Sequence, residues 1–232
     1  MHRTRVKICG VTRADDAAAA ASAGADAVGM VFHAESRRCV TLARAAEIVA
    51  ALPAMVTRVA LFVNETPAVI RETARQLGIG TIQLHGEESP ELIAELAPLR
   101  VIKAVGVRAE SLSKELARWR DAIKRFNLAN LAGLLMDSPA GAVPGGAGVA
   151  NDFGALSRAV RDGAWSGLPP MIIAGGLTPS NVAAAVSLLR PWAVDVSSGV
   201  ERIKGQKSAE KIVEFIEQVR LADQSADQTH AD

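Results

Sequence analysis

Short apolar runs alternate with longer segments of mixed polarity along the whole chain. Most of the runs are continuously apolar rather than alternating, which is typical of parallel strands that are buried on both faces. We therefore predict eight strands, at 6–9, 27–32, 58–63, 81–85, 101–105, 133–137, 171–175 and 193–198.

The segments between these runs carry start and stop signals of helices. Thr12, with Asp15 three residues later, predicts a capping box. Gly24 and Gly78 predict helix ends in the left-handed conformation. Three other starts place a hydroxyl residue before a proline, whose missing N–H group costs nothing at the first helical position. These starts are Thr66-Pro67, Ser89-Pro90 and Thr178-Pro179.

Eight strands that alternate with helices favour an α/β fold, a single-domain (β/α)8 TIM barrel over residues 1–221. An open doubly wound sheet is the alternative, because alternation alone does not show that the sheet closes. No linker rich in proline or glycine divides the chain. The polar stretch 222–232 cannot bury enough apolar area to offset its ordering entropy, so we expect a flexible C-terminal tail.

Composition and charge narrow the range of partners. Hydrophobic residues make up 49% of the 232 positions and charged residues 22%, which suits a globular protein with a sizeable core. The net charge of +1, and an aromatic content of 3% without tyrosine, argue against nucleic acid as a partner. No apolar run reaches the roughly 18 residues of a membrane span, so we expect no membrane partner either.

The cysteines and histidines point to a reducing compartment and to chemistry without a metal. Cys9 and Cys39 are too few for a disulfide framework, and the first residues lack the apolar stretch of a secretion signal, so we expect a cytoplasmic protein. The histidines, at positions 2, 33, 85 and 230, have no metal-ligand spacing with either cysteine. Neither a dinucleotide fingerprint nor a P-loop occurs in the required setting.

In a barrel, the carboxyl ends of the strands and the loops that follow them form the active face. The predicted strands bring eleven polar or glycine residues to this rim: Cys9, Arg37, Arg38, Asn64, His85, Lys103, Asp137, Gly175, Gly176, Ser197 and Ser198.

Two loops on the rim have the features of a phosphate site. AGGLTPSNV follows the seventh run and DVSSGVE contains the end of the eighth, and such loops direct backbone N–H groups at one point. The loops after strands seven and eight are the usual phosphate site of these barrels. The alternative is that the glycines only permit tight turns. PGGAG, at 144–148, lies in a longer loop that is either a binding segment or merely mobile.

Cys9 and Asp137 are the candidates for proton transfer. Cys9 would act as a thiolate base if its pKa fell, assisted by Lys7, Lys103 or a helix N-terminus. Otherwise it is a small core residue, since free cysteine is among the most buried residue types. Asp137 ends the sixth run, where a carboxylate either is poised for chemistry or caps the next turn.

Several motifs occur in an order that resembles the phosphoribosylanthranilate isomerase family, the barrel enzymes of tryptophan synthesis. The resemblance spans about residues 5–219 and is carried by KICGVT, QLHGEE, the aspartate at the end of the sixth run, PGGAG, IAGGLTPSNV, and VDVSSGVE followed by KGQK. The pairing of KICG with VDVSSGVE is specific, whereas AGGL is shared widely among phosphate-binding barrels.

The resemblance implies an Amadori rearrangement of N-(5-phosphoribosyl)anthranilate to a 1-deoxyribulose phosphate, without a cofactor and with this small phosphosugar as the partner. It assigns Cys9 as general base, Asp137 as general acid and Arg38 as the ligand of the anthranilate carboxylate. Gln83 and His85, from QLHGEE, and Asp195 are expected substrate contacts, although Asp195 is equally a structural carboxylate or a group that orients the cysteine. The expected phosphate ligands are Gly146, Gly175, Gly176, Ser197, Ser198 and Gly199.

Three departures from the family pattern stand out. The chain has Ser36-Arg37-Arg38 where the family usually shows Ser-Pro-Arg, so either arginine is a candidate for the carboxylate. Ala147 replaces a threonine near the expected substrate, and Ser208, a good N-cap residue, replaces an aspartate.

Two other interpretations compete with the isomerase. Another phosphosugar barrel, such as an indole-glycerol-phosphate synthase or a pentose-phosphate epimerase, would need a lysine and acid set or metal-binding histidines that the strand ends do not supply. A non-catalytic sugar-phosphate binding protein would keep the glycine loops and lose the acid or the base. The sequence does not indicate an oligomeric state.

Overall fold

Eight parallel strands close into a barrel in the computed structural model, which describes residues 3–137 and 151–228. Each strand pairs with the next along the chain, and the first pairs with the eighth, with Lys7 opposite Asp195. This closure confirms the predicted TIM barrel and excludes the open sheet. The strands are β1 Arg5–Ile8, β2 Ala27–Val31, β3 Thr57–Phe62, β4 Thr81–Leu84, β5 Arg100–Gly106, β6 Leu131–Asp137, β7 Met171–Ala174 and β8 Ala193–Val196.

Helices follow the strands and cover the outside of the barrel. The core lies between the two layers, where Phe62, Phe153 and Phe215 are completely buried. Burying each such side chain contributes about 1.5–3 kcal/mol. The helices are α1 Ala14–Ala23, α2 Leu42–Ala50, α3 Pro67–Leu77, α4 Pro90–Glu95, α5 Leu112–Phe126, α6 Asn151–Arg161, α7 Val182–Leu189 and α8 Ala209–Gln228. Within the described ranges, no helix combines the length and the hydrophobicity needed to cross a bilayer.

Most of the predicted helix boundaries are confirmed. The hydroxyls of Thr66 and Ser89 accept hydrogen bonds from the backbone N–H group of the third residue of their helices, and a proline follows each of them. Gly24 and Gly78 end α1 and α3 in the left-handed region, with φ of 98° and 62°. Ser208 also caps α8, as predicted, by accepting from the backbone of the third helical residue.

Two predicted helix starts are wrong, because the threonines have partners elsewhere. Thr12 donates its hydroxyl to the carbonyl of Gly205 at 2.5 Å, so it does not cap α1. After Thr178 the chain makes a further turn, in which Asn181 accepts from the Thr178 N–H group at 2.8 Å. Helix α7 therefore begins at Val182, three residues later than a start at Pro179.

The last helix extends beyond the predicted boundary at residue 221. Helix α8 continues to Gln228, because Ala222 is buried and the carboxylate of Asp223 accepts hydrogen bonds from both the N–H group and the hydroxyl of Thr4, each at 2.7 Å. Ala222 and Asp223 thus contact the rest of the protein from within α8, and residues 229–232 lie outside the described residues.

A 3₁₀ turn and a short hairpin separate β8 from α8, and the sequence patterns predicted neither. The turn spans Ser198–Val200, and the hairpin pairs β9 Glu201–Ile203 with β10 Gln206–Lys207. The carbonyl of Gly205 in this hairpin is the acceptor of the Thr12 hydroxyl, so the hairpin is anchored to the loop that follows β1.

Candidate active site

A cavity of about 340 Å³ opens at the carboxyl ends of the strands. This volume lies in the range of small-molecule sites. Ten of the residues predicted for the site line the cavity: Cys9, Arg38, Gln83, His85, Asp137, Gly175, Gly176, Asp195, Ser197 and Ser198. Gly199 lies behind the wall, against Leu177, and Gly146 lies outside the described residues, as does the whole PGGAG segment.

Cys9 forms part of the apolar wall of the cavity. It follows β1 directly, and its N–H group donates to the carbonyl of Val196 at 2.8 Å, which holds it beside the end of β8. Its side chain packs with Val31 and Leu61, and only 6% of the residue is exposed. The thiol is therefore both buried and adjacent to the cavity, so the two interpretations of Cys9 are not exclusive.

A buried ion pair lies next to the thiol. The ammonium of Lys7 is 2.9 Å from a carboxylate oxygen of Asp195, and both side chains are almost fully buried. A Cβ built on Gly29 would lie 3.0 Å from both Cys9 Sγ and Lys7 Nζ, so the thiol and the ammonium share the space that this glycine leaves open. Burial alone would lower the pKa of Lys7, but Asp195 and Cys9 outweigh it, and the pKa ends above its ordinary value.

The pKa of the Cys9 thiol is raised, not lowered as the base hypothesis expects. Burial is the largest cause, and the charge of Asp195 acts in the same direction. Lys7, through its charge and a hydrogen bond, and Lys207 oppose this shift without cancelling it. Among the surrounding groups, Lys7 is the largest influence that favours the thiolate.

Three residues predicted for the rim, Arg37, Asn64 and Lys103, do not reach the cavity. Lys103 projects to the outer side of the barrel, where its ammonium lies 3.0 Å from Glu88 and donates to the carbonyl of Gly86 at 2.6 Å. It therefore cannot assist Cys9. Asn64 accepts a hydrogen bond from the N–H group of Glu87 at 2.7 Å and so holds the loop after β4. The position of a residue at a strand end did not reveal whether its side chain projects towards the cavity or away from it.

Asp137, at the end of β6, contacts a histidine across the barrel mouth. Its Oδ2 lies 3.3 Å from Nε2 of His85, and the two side chains are 39% and 34% exposed. Nδ1 of His85 lies 3.0 Å from the amide nitrogen of Gln83. Gln83 is completely buried, and its Oε1 has no hydrogen-bond partner among the described residues.

Arg38, and not Arg37, borders the cavity. Its Nε and Nη2 donate to the two carboxylate oxygens of Glu201, at 2.6 and 2.8 Å, in a bidentate pair. Lys207 contacts the same carboxylate at 3.1 Å. Burial would raise the pKa of Glu201, but these two cations hold it below its ordinary value. Arg38 is thus fixed in place with its Nη1 edge unpaired among the described residues, while Arg37 is exposed away from the cavity.

The glycine loops after β7 and β8 pack directly against each other. Gly175 and Gly176 have positive φ values, 86° and 64°, which other residues rarely adopt. A Cβ on Gly199 would lie 1.8 Å from the carbonyl oxygen of Leu177, so only glycine fits where the second loop crosses the first. The glycine of the second loop therefore serves the close approach of the two loops, and the glycines of the first loop permit its left-handed turn.

Backbone N–H groups at this edge are available to an anion. Those of Gly176 and Ser197 donate to no acceptor in the part of the chain that the structure describes. The amide of Asn181 donates to the carbonyl of Gly176 at 3.0 Å, and Lys207 donates to the carbonyl of Ser197 at 3.0 Å, so the peptide unit that follows each of these N–H groups is held in place. Unpaired N–H groups on two fixed loops form a concave site of the kind that binds phosphate.

Four polar residues at the site were not predicted as site residues. His33 and Ser36 line the cavity, and Glu201 and Lys207 hold Arg38 and Ser197 from behind. The strand-end rule covers His33, which comes two residues after β2, so a signal for it existed. Glu201 and Lys207 end the motifs VDVSSGVE and KGQK, but no local signal shows their role, because each becomes buried only when the hairpin folds.

Comparison with known proteins identifies relatives along nearly the whole chain. Residues 6–218 match the family model described as N-(5′-phosphoribosyl)anthranilate (PRA) isomerase. A protein of that name from Bordetella avium is 42% identical over 229 residues, 99% of this chain and all of the relative. One from Thiobacillus denitrificans is 43% identical over 224 residues, 94% of this chain and 98% of the relative.

Solved structures with similar names also superpose on nearly the whole chain. Phosphoribosyl anthranilate isomerase from Thermotoga maritima superposes with a TM-score of 0.79 at 37% identity, over 94% of this chain and 98% of that one. A crystal structure of such an isomerase in complex with reduced 1-(o-carboxyphenylamino)-1-deoxyribulose 5-phosphate superposes with a TM-score of 0.78 at 36% identity, with the same coverage.

Proposed function

The chain belongs to the N-(5′-phosphoribosyl)anthranilate isomerase family, and from that premise we propose that Cys9 and Asp137 catalyse the Amadori rearrangement of phosphoribosylanthranilate. The reaction turns an aldose derivative into a ketose derivative by moving protons within one molecule, and it is a step of L-tryptophan biosynthesis. In this proposal Cys9 and Asp137 supply both proton transfers, and no cofactor takes part. We place it in the cytoplasm, where a reduced thiol persists.

The two ends of the substrate match two parts of the cavity. The phosphate lies against the backbone N–H groups of Gly176 and Ser197, with Ser198 beside them. The anthranilate carboxylate pairs with Arg38, whose planar guanidinium suits a carboxylate better than an ammonium does. Glu201 supports this role, because it holds the guanidinium by one edge and leaves Nη1 for a ligand.

Asp137 is the general acid of the first step. As a carboxylic acid it donates its proton to the ring oxygen of the sugar, the bond between C1 and that oxygen breaks, and the nitrogen lone pair forms a Schiff base. Its position at the cavity, more than a third exposed, supports access to a substrate.

Cys9 is the general base of the second step. As a thiolate it removes the proton from C2, and the electrons of that bond form the enolamine, which tautomerises to the ketone. Because burial raises the pKa of the thiol, the thiolate depends on the neighbouring ammonium of Lys7. Asp195 holds that ammonium at 2.9 Å, so we assign it to the positioning of Lys7 rather than to the substrate.

One observation carries the proposal: Cys9, Asp137, Arg38 and both glycine loops border the same cavity. The test is an assay of the purified protein with phosphoribosylanthranilate, followed by the decay of anthranilate fluorescence. We expect rapid turnover that requires no added metal or cofactor. Failure to turn over this compound, with binding of sugar phosphates preserved, would favour the non-catalytic binding protein instead.

A further inference from the structure

Three residues of the cavity form a single hydrogen-bonded chain. The side-chain amide of Gln83 contacts Nδ1 of His85 at 3.0 Å, and Nε2 of His85 contacts Asp137 at 3.3 Å. Gln83 lies in β4 and His85 follows the strand directly. Because they are two residues apart, their side chains project to the same side of the sheet. The chain runs from a fully buried amide in the barrel to a carboxyl group at the cavity.

The histidine ring makes this chain directional, because a neutral imidazole has one donor and one acceptor nitrogen. When the Gln83 amide nitrogen donates to Nδ1, the ring proton is on Nε2, and Asp137 can only accept. When the amide is turned by 180°, Oε1 accepts from Nδ1–H, and Nε2 accepts a proton from Asp137. The second orientation supplies the partner that the buried Oε1 lacks in the first.

We propose that Gln83 and His85 are positioning residues that deliver a proton to Asp137 and keep it there. This inference rests on the acid role proposed for Asp137 above. His85 takes a proton from solvent at Nε2, while Nδ1–H remains bonded to Gln83 Oε1. The imidazolium passes the Nε2 proton to the carboxylate of Asp137 and becomes neutral again. Asp137 then gives this proton to the sugar ring oxygen as the C1–O bond breaks.

Among the described residues, the other charged groups near this pair either have partners of their own or lie across the cavity. Glu88 and Lys103 form their own ion pair on the outer side of β4 and β5. In 3–137 and 151–228, no other titratable side chain hydrogen-bonds to His85 or Asp137, so the proton of the pair depends on this chain. The titratable groups across the cavity are Cys9, His33, Arg38 and Asp195.

The first test is the pH dependence of kcat in His85→Gln and Gln83→Met. Without the ring, Asp137 alone must keep the proton, and a carboxyl releases a proton more readily than a histidine does. We expect the alkaline limb of kcat to move down by roughly one pH unit or more in His85→Gln, with KM within about threefold of the parent. Gln83→Met, which leaves the ring tautomer unconstrained, should move it in the same direction by less.

Controls separate this relay from a structural role and from the proposed function. His33→Gln removes another imidazole from the cavity wall and should leave the alkaline limb where it is. Asp137→Asn tests the acid itself, so activity in this variant would overturn the proposed function. If Asp137→Asn is inactive but the alkaline limb of kcat is unshifted in both His85→Gln and Gln83→Met, the proposed role of Gln83 and His85 is overturned. The proposed function then still stands.

The second test needs no variant that alters the fold. Nitrogen-15 spectra of the histidine rings of the parent protein report which ring nitrogen carries the proton. At a pH where the ring is neutral, we expect His85 to be protonated at Nδ1. A ring protonated at Nε2 would place Asp137 permanently as an acceptor and would overturn the proposal.

Discussion

At the scale of single residues, the charges around Cys9 decide when its thiol can act as a base. Lys7 lowers the pKa of the thiol and Asp195 raises it, although the two form one ion pair. Removing Lys7 or Asp195 should therefore shift the pKa of the thiol in opposite directions. A purely structural ion pair would not have this effect.

The first prediction concerns Lys7→Met and Asp195→Asn, each in a Cys39→Ser background so that Cys9 is the only thiol. Lys7→Met should raise the pKa of Cys9, so that its alkylation by iodoacetamide requires a higher pH. Asp195→Asn should lower that pKa, so that alkylation proceeds at a lower pH than in the parent. Shifts in the same direction, or none, would show that the ion pair does not control the thiol.

The second prediction concerns the two adjacent arginines. Arg38→Met should raise KM for phosphoribosylanthranilate by roughly 10- to 100-fold, since a hydrogen bond to a charged group contributes about 1.5–3 kcal/mol. An analogue without the carboxylate should bind nearly as well as it does to the parent. Arg37→Met is the matched control, because Arg37 is exposed away from the cavity, and it should leave KM unchanged. The opposite pattern would assign the carboxylate to Arg37.

At the scale of elements, the contact between the β7 and β8 loops shapes the phosphate site. The third prediction is that Gly199→Ala forces these loops apart, because its Cβ would meet the carbonyl of Leu177. We expect unfolding to become easier by about 1–3 kcal/mol and inhibition by ribose 5-phosphate to weaken. Gly80→Ala, with no atom within 4 Å of the new Cβ, is the control and should change neither. Unaltered inhibition by ribose 5-phosphate in Gly199→Ala would mean that the phosphate binds elsewhere.

Patterns in the sequence predicted the strands and helix caps wherever these depend on residues that are close in the sequence. The apolar runs gave all eight strands within two residues, because burial on both faces dictates their composition. The helix caps at Thr66 and Ser89 were also predictable, because each hydroxyl bonds to a backbone N–H group only three residues later. Thr12 was not, because its partner, Gly205, is 193 residues away in a hairpin without a strong sequence pattern.

The same limit applies to the site. The carboxyl ends of the strands indicated Cys9 and Asp137 as cavity residues, since the rim of a barrel is set by its topology. The sequence could not show that Arg38 is held by Glu201, 163 positions away. It also could not show that burial raises the pKa of Cys9, because that shift depends on packing and charge from several strands.

At the scale of the whole molecule, α8 closes the fold onto the start of the chain through Asp223 and Thr4. The fourth prediction is that a chain ending at residue 221 loses about 2 kcal/mol of unfolding free energy and roughly 4–8 °C of Tm. A chain ending at residue 228 keeps these contacts and should melt with the parent. Equal Tm values for the two truncated chains would restore the predicted boundary at 221.

The account as a whole requires that a thiolate and a carboxylic acid act on one substrate within the cavity. The measurement that tests this most directly is the single-turnover rate of phosphoribosylanthranilate isomerisation in Cys9→Ala and Asp137→Asn. Each variant should be slower than the parent by about 10²–10⁴-fold while affinity for ribose 5-phosphate is retained, because the proton-transfer groups and the phosphate loops are separate. A parental rate in either variant would contradict the account.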